Sequence, residues 1–192
     1  MKLMLDLFSG LGGASQAFMD SPEWAVLRYD NDPTLSNVAA TTICDLTQYK
    51  IECRHKIELI WASPPCDEFS MGFHAPKPTA QRRGETYQPN LTLAKRGIEI
   101  IEELKPEFWV LENVVGSIKD LEPLLGEPRQ IIGPFVLWGN FPLIHTPRDY
   151  LPTKKTDLWP SENRKQLRSK VPYAISEGLF HAIRTQKTLE NY

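Results

Sequence analysis

A chain of 192 residues with 41% hydrophobic and 24% charged side chains has the size and composition of one globular domain, which excludes wholesale disorder. Its formal net charge of −2 argues neither for nor against a polyanionic partner until the charges are located. No apolar run reaches the roughly 18 residues that a membrane-spanning helix needs, and Lys2 leads straight into a strand-like run rather than a signal peptide. The three cysteines, Cys44, Cys53 and Cys66, cannot all pair and lack zinc-binding spacing. A reducing cytoplasm is therefore expected, and no metal.

The elements alternate in type along the chain. Lys2–Phe8 (KLMLDLF) reads as a strand buried on both faces, broken at Ser9–Gly13 and followed by a helical segment over Ala14–Met19. Ala25–Tyr29 is a second strand, after which Asp30-Asn31-Asp32-Pro33 opens a helix carrying Leu35, Val38 and Ala39. Ile43–Asp45 gives a brief third strand and Ile57–Ala62 a fourth, cut off by Ser63-Pro64-Pro65. A loop rich in Pro, Gly and charge then runs from Cys66 to Pro89; loops of that length inside a domain are usually functional or mobile.

Asn90 caps a helix whose apolar stripe is Ala94, Ile98, Ile101 and Leu104, stopped before Pro106. Phe108–Leu111 is a fifth strand ending at Glu112-Asn113, and Ser117–Leu125 is a short helix. Gln130–Trp138 and Phe141–Ile144 form an antiparallel edge pair joined through Gly139-Asn140. A last helix from Val171 to about Lys187 shows Ile175, Leu179, Phe180 and Ile183 on one side. Strands alternating with helices predict a doubly wound, Rossmann-like α/β sheet, mostly parallel with an antiparallel edge.

In such sheets ligands bind outside the carboxyl ends of the strands, where this sequence concentrates its unusual residues. Gly10, Gly12 and Gly13 follow the first strand and let the backbone approach a ligand closely. Asp30 follows the second, the position from which a carboxylate takes two ribose hydroxyls; by itself it reads equally well as a helix cap. Asp45 follows the third and alone reads as a solvated turn residue. Cys66 follows two prolines that fix its backbone, beside a loop carrying His74, Lys77, Arg82 and Arg83, and nearby cations favour a thiolate. Cys44 and Cys53 read as inert small hydrophobes. Glu112 ends an apolar strand, where burial favours a carboxyl able to hand over a proton near neutrality; a salt bridge to a loop arginine is the plainer reading.

Asp6-Leu7-Phe8-Ser9-Gly10-Leu11-Gly12-Gly13, Ser63-Pro64-Pro65-Cys66 with Phe69-Ser70, and Glu112-Asn113-Val114 together resemble the signature segments of the cytosine-5 DNA methyltransferases, in the family's order, over roughly the first 120 residues. The resemblance implies a Rossmann-like S-adenosylmethionine-dependent methyltransferase fold. Phe8, Gly10 and Gly12 would bind S-adenosylmethionine, with Asp30 at its ribose and Asp45 near its adenine. Cys66 would add to cytosine C6, turning the ring into an enamine that attacks the methyl group at C5, and Glu112 would hydrogen-bond the N3/N4 edge and protonate N3. Ser63, Pro65, Asn113, Arg82 and Arg83 are the expected substrate contacts. In duplex DNA the cytosine must be flipped out. An amino-methyltransferase shares Ser63-Pro64-Pro65 but places an aromatic where this chain has Cys66.

The sequence also departs from that family. Asp67 follows the cysteine where the family more often has Gln. Arg129 is a weak stand-in for the family's arginine-rich strand, and Ser176 stands near a closing motif that lacks Gly-Asn-Ser. The usual target-recognition domain is missing. In its place residues 145–170 form a short basic stretch with Arg148, Lys154, Lys155, Arg164, Lys165 and Arg168, which fits phosphate contact rather than sequence reading; a solvated loop is the plainer reading. The expected protein is a single catalytic domain over 1–192 that methylates C5 of cytosine in DNA, with a homodimer or a partner supplying target recognition. The alternatives are the same chemistry on RNA or on a free cytosine nucleotide, and a non-catalytic cofactor- or nucleic-acid-binding subunit.

Overall fold

The computed structural model describes residues 1–72, 74–147 and 164–190. Seven strands form one sheet: β1 (Lys2–Leu7), β2 (Trp24–Asp30), β3 (Thr41–Ile43), β4 (Leu59–Ala62), β5 (Phe108–Val114), β6 (Gln130–Ile132) and β7 (Phe135–Asn140). Their order is β3-β2-β1-β4-β5-β7-β6. The first five are mutually parallel, and β7 runs antiparallel to both β5 and β6. The fold class read from the sequence is the one observed.

Among the described residues six α-helices accompany the sheet: α1 (Gln16–Met19), α2 (Pro76–Arg82), α3 (Thr92–Leu104), α4 (Ile118–Leu125), α5 (Arg164–Ser169) and α6 (Tyr173–Glu190). Strand alternation sorts the core between the two faces. Met4, Trp24, Val26, Trp61 and Val110 pack with Phe18 of α1 and with Ile175, Leu179 and Ile183 of α6. Leu5, Leu7, Ile60 and Ala62 pack with Ile100 and Ile101 of α3 on the other face. Phe69, Leu111, Val136 and Trp138 join Ala94 and Leu121 in a further cluster over the α3–α4 side. α3 stops where expected: Lys105 takes a left-handed φ of 47° just before Pro106. Asn90 Oδ1 accepts from the Thr92 amide at its start, 2.9 Å away.

The structure revises several expectations. Strand β1 ends at Leu7, because Phe8 turns to φ 57°. The helix after Pro33 is only a 3-10 turn, Pro33–Leu35, with the Asp32 side chain accepting from the Thr34 amide. The long loop after Cys66 holds a 3-10 turn, Asp67–Phe69, and helix α2, whose Pro76 sits in the first turn, where a proline loses no helical hydrogen bond. Glu112 and Asn113 lie within β5 rather than beyond it. The edge hairpin turns at Gly133-Pro134, so Gly139 and Asn140 are inside β7 and Phe141–Ile144 is not a strand. Gly139 is needed there for close approach: a Cβ would stand 2.1 Å from the Trp109 carbonyl oxygen. Most of the 145–170 stretch, including Arg148, Lys154 and Lys155, lies outside the described residues.

Candidate active site

The chain leaves β1 in one direction, through β2 to β3, and crosses to β4 and β5 in the other. The crevice of a doubly wound sheet opens at that switch, between the carboxyl ends of β1 and β4. The glycine turn and Ser63–Cys66 therefore face each other across it. The Ser63 amide donates to the Leu7 carbonyl at 3.0 Å, which ties the two segments at their root.

The glycine turn has three left-handed residues, Phe8 (φ 57°), Gly10 (φ 50°) and Gly12 (φ 68°). The first is not a glycine, and a bulky residue there stores strain of order 1–3 kcal/mol, a feature that clusters at ligand sites. The Phe8 ring lies over α3: a Cβ on Gly97 would meet it at 3.5 Å. From β2, Asp30 Oδ2 accepts from the Gly10 amide at 2.8 Å and Oδ1 from the Asp32 amide at 3.0 Å. The carboxylate is thereby fixed with acceptor capacity left on both oxygens. Asp45 is exposed, and Oδ1 accepts from the Thr47 amide and hydroxyl, which holds its carboxyl below the usual range.

Beneath the turn lies a network that the sequence reading passed over. Asp6 and Arg28 are direct neighbours in the β1–β2 ladder. Ser15 Oγ donates to Asp6 Oδ2 at 2.5 Å and accepts from Arg28 Nε at 2.8 Å. Asp6 and Ser15 are fully buried and Arg28 is 3% exposed. Burial pushes the Asp6 carboxyl up to about 7 against the lowering pull of Ser15 and Arg28. Ser176 belongs to this buried side too. It accepts from the Ala17 amide at 3.1 Å and donates to the Ala14 carbonyl at 2.6 Å, so it holds the segment after the glycine turn instead of facing a ligand.

On the β4 side, Cys66 is half-buried at the start of the 3-10 turn Asp67–Phe69. The in-register pairing of Ala62 with Leu111 brings the segment after β4 alongside Glu112 and Asn113. Glu112 is 7% exposed. Asn113 is buried, donating Nδ2 to the Pro64 carbonyl at 3.1 Å, so it anchors the Cys66 segment to β5. Gly116 strengthens that seam, since a Cβ would stand 2.2 Å from the Phe69 carbonyl oxygen. Ser63 accepts from Trp61 Nε1 at 2.7 Å, and Pro65 is exposed. Farther out, Glu68 accepts from the Tyr87 hydroxyl and from the Asn90 amide, and Lys77 pairs with Asp120 at 3.4 Å.

Arg82 and Arg83 are exposed at the end of α2 and its cap, Arg82 reaching back to Thr79 Oγ1 at 3.2 Å. Arg129 is turned to the edge hairpin, donating Nε to the Phe141 carbonyl with its guanidinium over that ring. Among the described residues no cluster of His, Cys, Asp and Glu has a metal-binding arrangement, and no helix is long and apolar enough to cross a membrane.

The mostly parallel sheet thus carries a strained glycine turn on one side of its switch point and a Pro-Pro-Cys segment beside a buried Glu-Asn on the other. The family model for C-5 cytosine-specific DNA methylases matches residues 3–122. The chain belongs to that family, whose methyl donor is S-adenosylmethionine. It is 26% identical over 125 residues to the Type II methyltransferase M1.HphI of Haemophilus parahaemolyticus, a match covering 57% of this chain and 32% of the relative. The chain thus spans about a third of that relative's length.

Among solved structures, a prophage-encoded E. coli protein described as a DNA modification methyltransferase aligns at TM-score 0.48 and 19% identity. That alignment covers 73% of this chain and 47% of the other. A tRNA (uracil-54, C5)-methyltransferase of Pyrococcus abyssi aligns at TM-score 0.44 and 14% identity, covering 73% and 34%.

Proposed function

We propose that this protein transfers a methyl group from S-adenosylmethionine to C5 of cytosine in DNA, with Cys66 as nucleophile. The observation that carries the reading is the seam between Cys66 and Glu112-Asn113: Asn113 fixes the Pro64 carbonyl, and the register of β4 and β5 keeps a thiol and a buried carboxyl at one edge. A binding module has no need of either group.

The turn side suits the cofactor. A Cβ at Gly10 would meet nothing within 4 Å, so the backbone there borders open space. The Ser9 hydroxyl, on a residue 8% exposed, has no partner in the turn, which suits a ligand rich in polar atoms. Phe8, Ser9, Gly10, Gly12 and Asp30 would hold the cofactor, Asp30 through its remaining acceptor sites, with Asp45 toward the adenine. When bound, the cofactor supplies an electrophilic methyl group.

The chain's own residues do the rest. The Cys66 thiolate adds to C6 of the cytosine, and the displaced electron pair moves toward C5 as Glu112 gives its proton to N3. C5 then attacks the methyl group, and the electron pair of the broken methyl–sulfur bond leaves with the donor's sulfur. Loss of the C5 proton to a base and return of the N3 proton to Glu112 let the Cys66 sulfur leave as thiolate and restore the ring. Asn113 acts through Pro64 and keeps the thiol in place; Ser63, Pro65, Arg82 and Arg83 line the substrate side. The base is taken out of its stack before this chemistry. The basic 145–170 segment supplies phosphate contacts in a single catalytic domain, and sequence preference comes from a second copy or a partner. Three free cysteines fit a cytoplasmic setting.

The test is transfer of label from methyl-tritiated S-adenosylmethionine to cytosine-containing DNA, RNA and cytidine nucleotide offered in parallel. Label recovered as 5-methylcytosine from DNA is the expected result. Label in RNA or nucleotide alone reassigns the substrate, and label on the exocyclic nitrogen overturns the mechanism.

A further inference from the structure

We infer that Arg28 is a positioning residue for the cofactor site, a buried brace that holds the glycine turn in its open shape from below. The inference rests on the reading that this turn receives S-adenosylmethionine. Arg28 occupies β2 two residues before Asp30, so both side chains leave the strand on one face, and both reach the same turn. Asp30 accepts from the Gly10 amide. Arg28 donates from Nη2 to the Gly12 carbonyl at 3.0 Å, from Nε to Ser15 Oγ at 2.8 Å and from Nη1 to the Ala39 carbonyl at 3.0 Å. One planar fork thus joins the turn after β1, the start of the helical segment beyond it, and the chain leaving the 3-10 turn Pro33–Leu35.

A second observation is steric and independent of those hydrogen bonds. A Cβ built on Gly12 would lie 2.3 Å from Arg28 Cζ, 2.5 Å from Nε and 2.7 Å from Nη2. The guanidinium packs directly against the Gly12 backbone, so the glycine serves contact as well as its φ of 68°. No other side chain type supplies three in-plane donors at this spacing; a lysine offers one point charge and cannot bond Ser15, Gly12 and Ala39 together. Asp6 is joined to the guanidinium through Ser15. Without the fork, the Gly12 carbonyl and the Ser15 hydroxyl lose buried partners, and the left-handed turn relaxes toward ordinary backbone.

The test is calorimetric binding of S-adenosylmethionine and S-adenosylhomocysteine to the full chain and to Arg28→Met, Arg28→Lys and Asp30→Ala. Each is measured well below its own unfolding midpoint and checked for folding by circular dichroism. Arg28→Met should raise the Kd about tenfold or more, and Arg28→Lys should recover part of that loss. A merely structural role would lower the midpoint of unfolding and leave the Kd of the folded protein unchanged; that result overturns the inference. Should Arg28→Met not fold, Arg28→Lys decides: a wild-type Kd overturns the inference and a several-fold rise supports it. Asp30→Ala separates the two readings. Weakened binding there with wild-type binding in both Arg28 variants rejects the brace alone. Wild-type binding in all three rejects the placement of the cofactor as well.

Discussion

On the β1–β2 side of the crevice, the groups that shape the glycine turn are withdrawn from water. Asp6, Ser15 and Ser176 are fully buried and Arg28 nearly so; hydrogen bonds link Asp6, Ser15 and Arg28, and Ser176 separately holds the Ala14–Ala17 backbone. On the β4–β5 side Glu112, Asn113 and the Gly116–Phe69 contact are buried. The outer fastenings, Glu68 to Tyr87 and Lys77 to Asp120, stand partly in water. Buried polar networks in a low dielectric are strong when complete and costly when broken, whereas exposed ion pairs contribute about 0–1 kcal/mol. Under the proposed function the difference amounts to a division of labour: a preset side for the cofactor, and a side with adjustable outer parts for a base turned out of its stack.

Substitutions on the reacting groups should give the largest effects. Cys66→Ala should lower methyl transfer by about a thousandfold or more while leaving cofactor affinity within about twofold, because Cys66, the proposed nucleophile, stands across the crevice from the turn. Glu112→Gln should cost about 100-fold or more in kcat, the usual contribution of a positioned proton donor. Both are read by single-turnover transfer from labelled cofactor.

Next is a pH effect peculiar to the buried side. Asp6 faces the Ser15 hydroxyl, the Arg28 guanidinium and, farther off, Asp30, and burial prevails over the two lowering influences. Between the carboxyl's ordinary 3.8 and about 7, the folded chain keeps a proton that the unfolded chain has released. Stability therefore falls as pH rises through that window and levels off above it, by about 2–3 kcal/mol between pH 5 and 7. Denaturant unfolding across that range should show the slope, and Asp6→Asn should flatten it. An unchanged slope in Asp6→Asn would mean that other groups set it. The smallest effect belongs to the outer fastenings: Lys77→Ala should cost no more than about 1 kcal/mol in the same unfolding measurement.

The sheet was legible because apolar runs such as KLMLDLF and FWVL end at glycine, proline or acid, and their order alone dictates a doubly wound fold. The edge hairpin was not. Gly139-Asn140 resembles a turn, yet Gly139 is a glycine because Trp109 backbone presses on it, and nothing local distinguishes the two reasons. Helix α2 was hidden by the prolines that begin it. Cys66 and Asp30 could be placed at strand ends from the sequence and Glu112 near one, although it falls inside β5, but the holding part played by Asn113 depends on a carbonyl 49 positions away. Arg28 left one readable trace: an Arg in AVLRY and an Asp in KLMLDLF, two opposite charges inside strands otherwise built for burial. Only the ladder, which sets Asp6 opposite Arg28, shows that they share one network with the glycine turn.

Covalent trapping tests the central claim most directly. The chain, S-adenosylmethionine and DNA carrying 5-fluorocytosine should yield a complex that survives denaturing electrophoresis. Its mass should correspond to chain plus methylated DNA, since fluorine at C5 blocks release of the Cys66 sulfur. Cys66→Ala should abolish the complex. A complex undiminished in Cys66→Ala, or none with wild-type chain that methylates ordinary cytosine, would contradict the account.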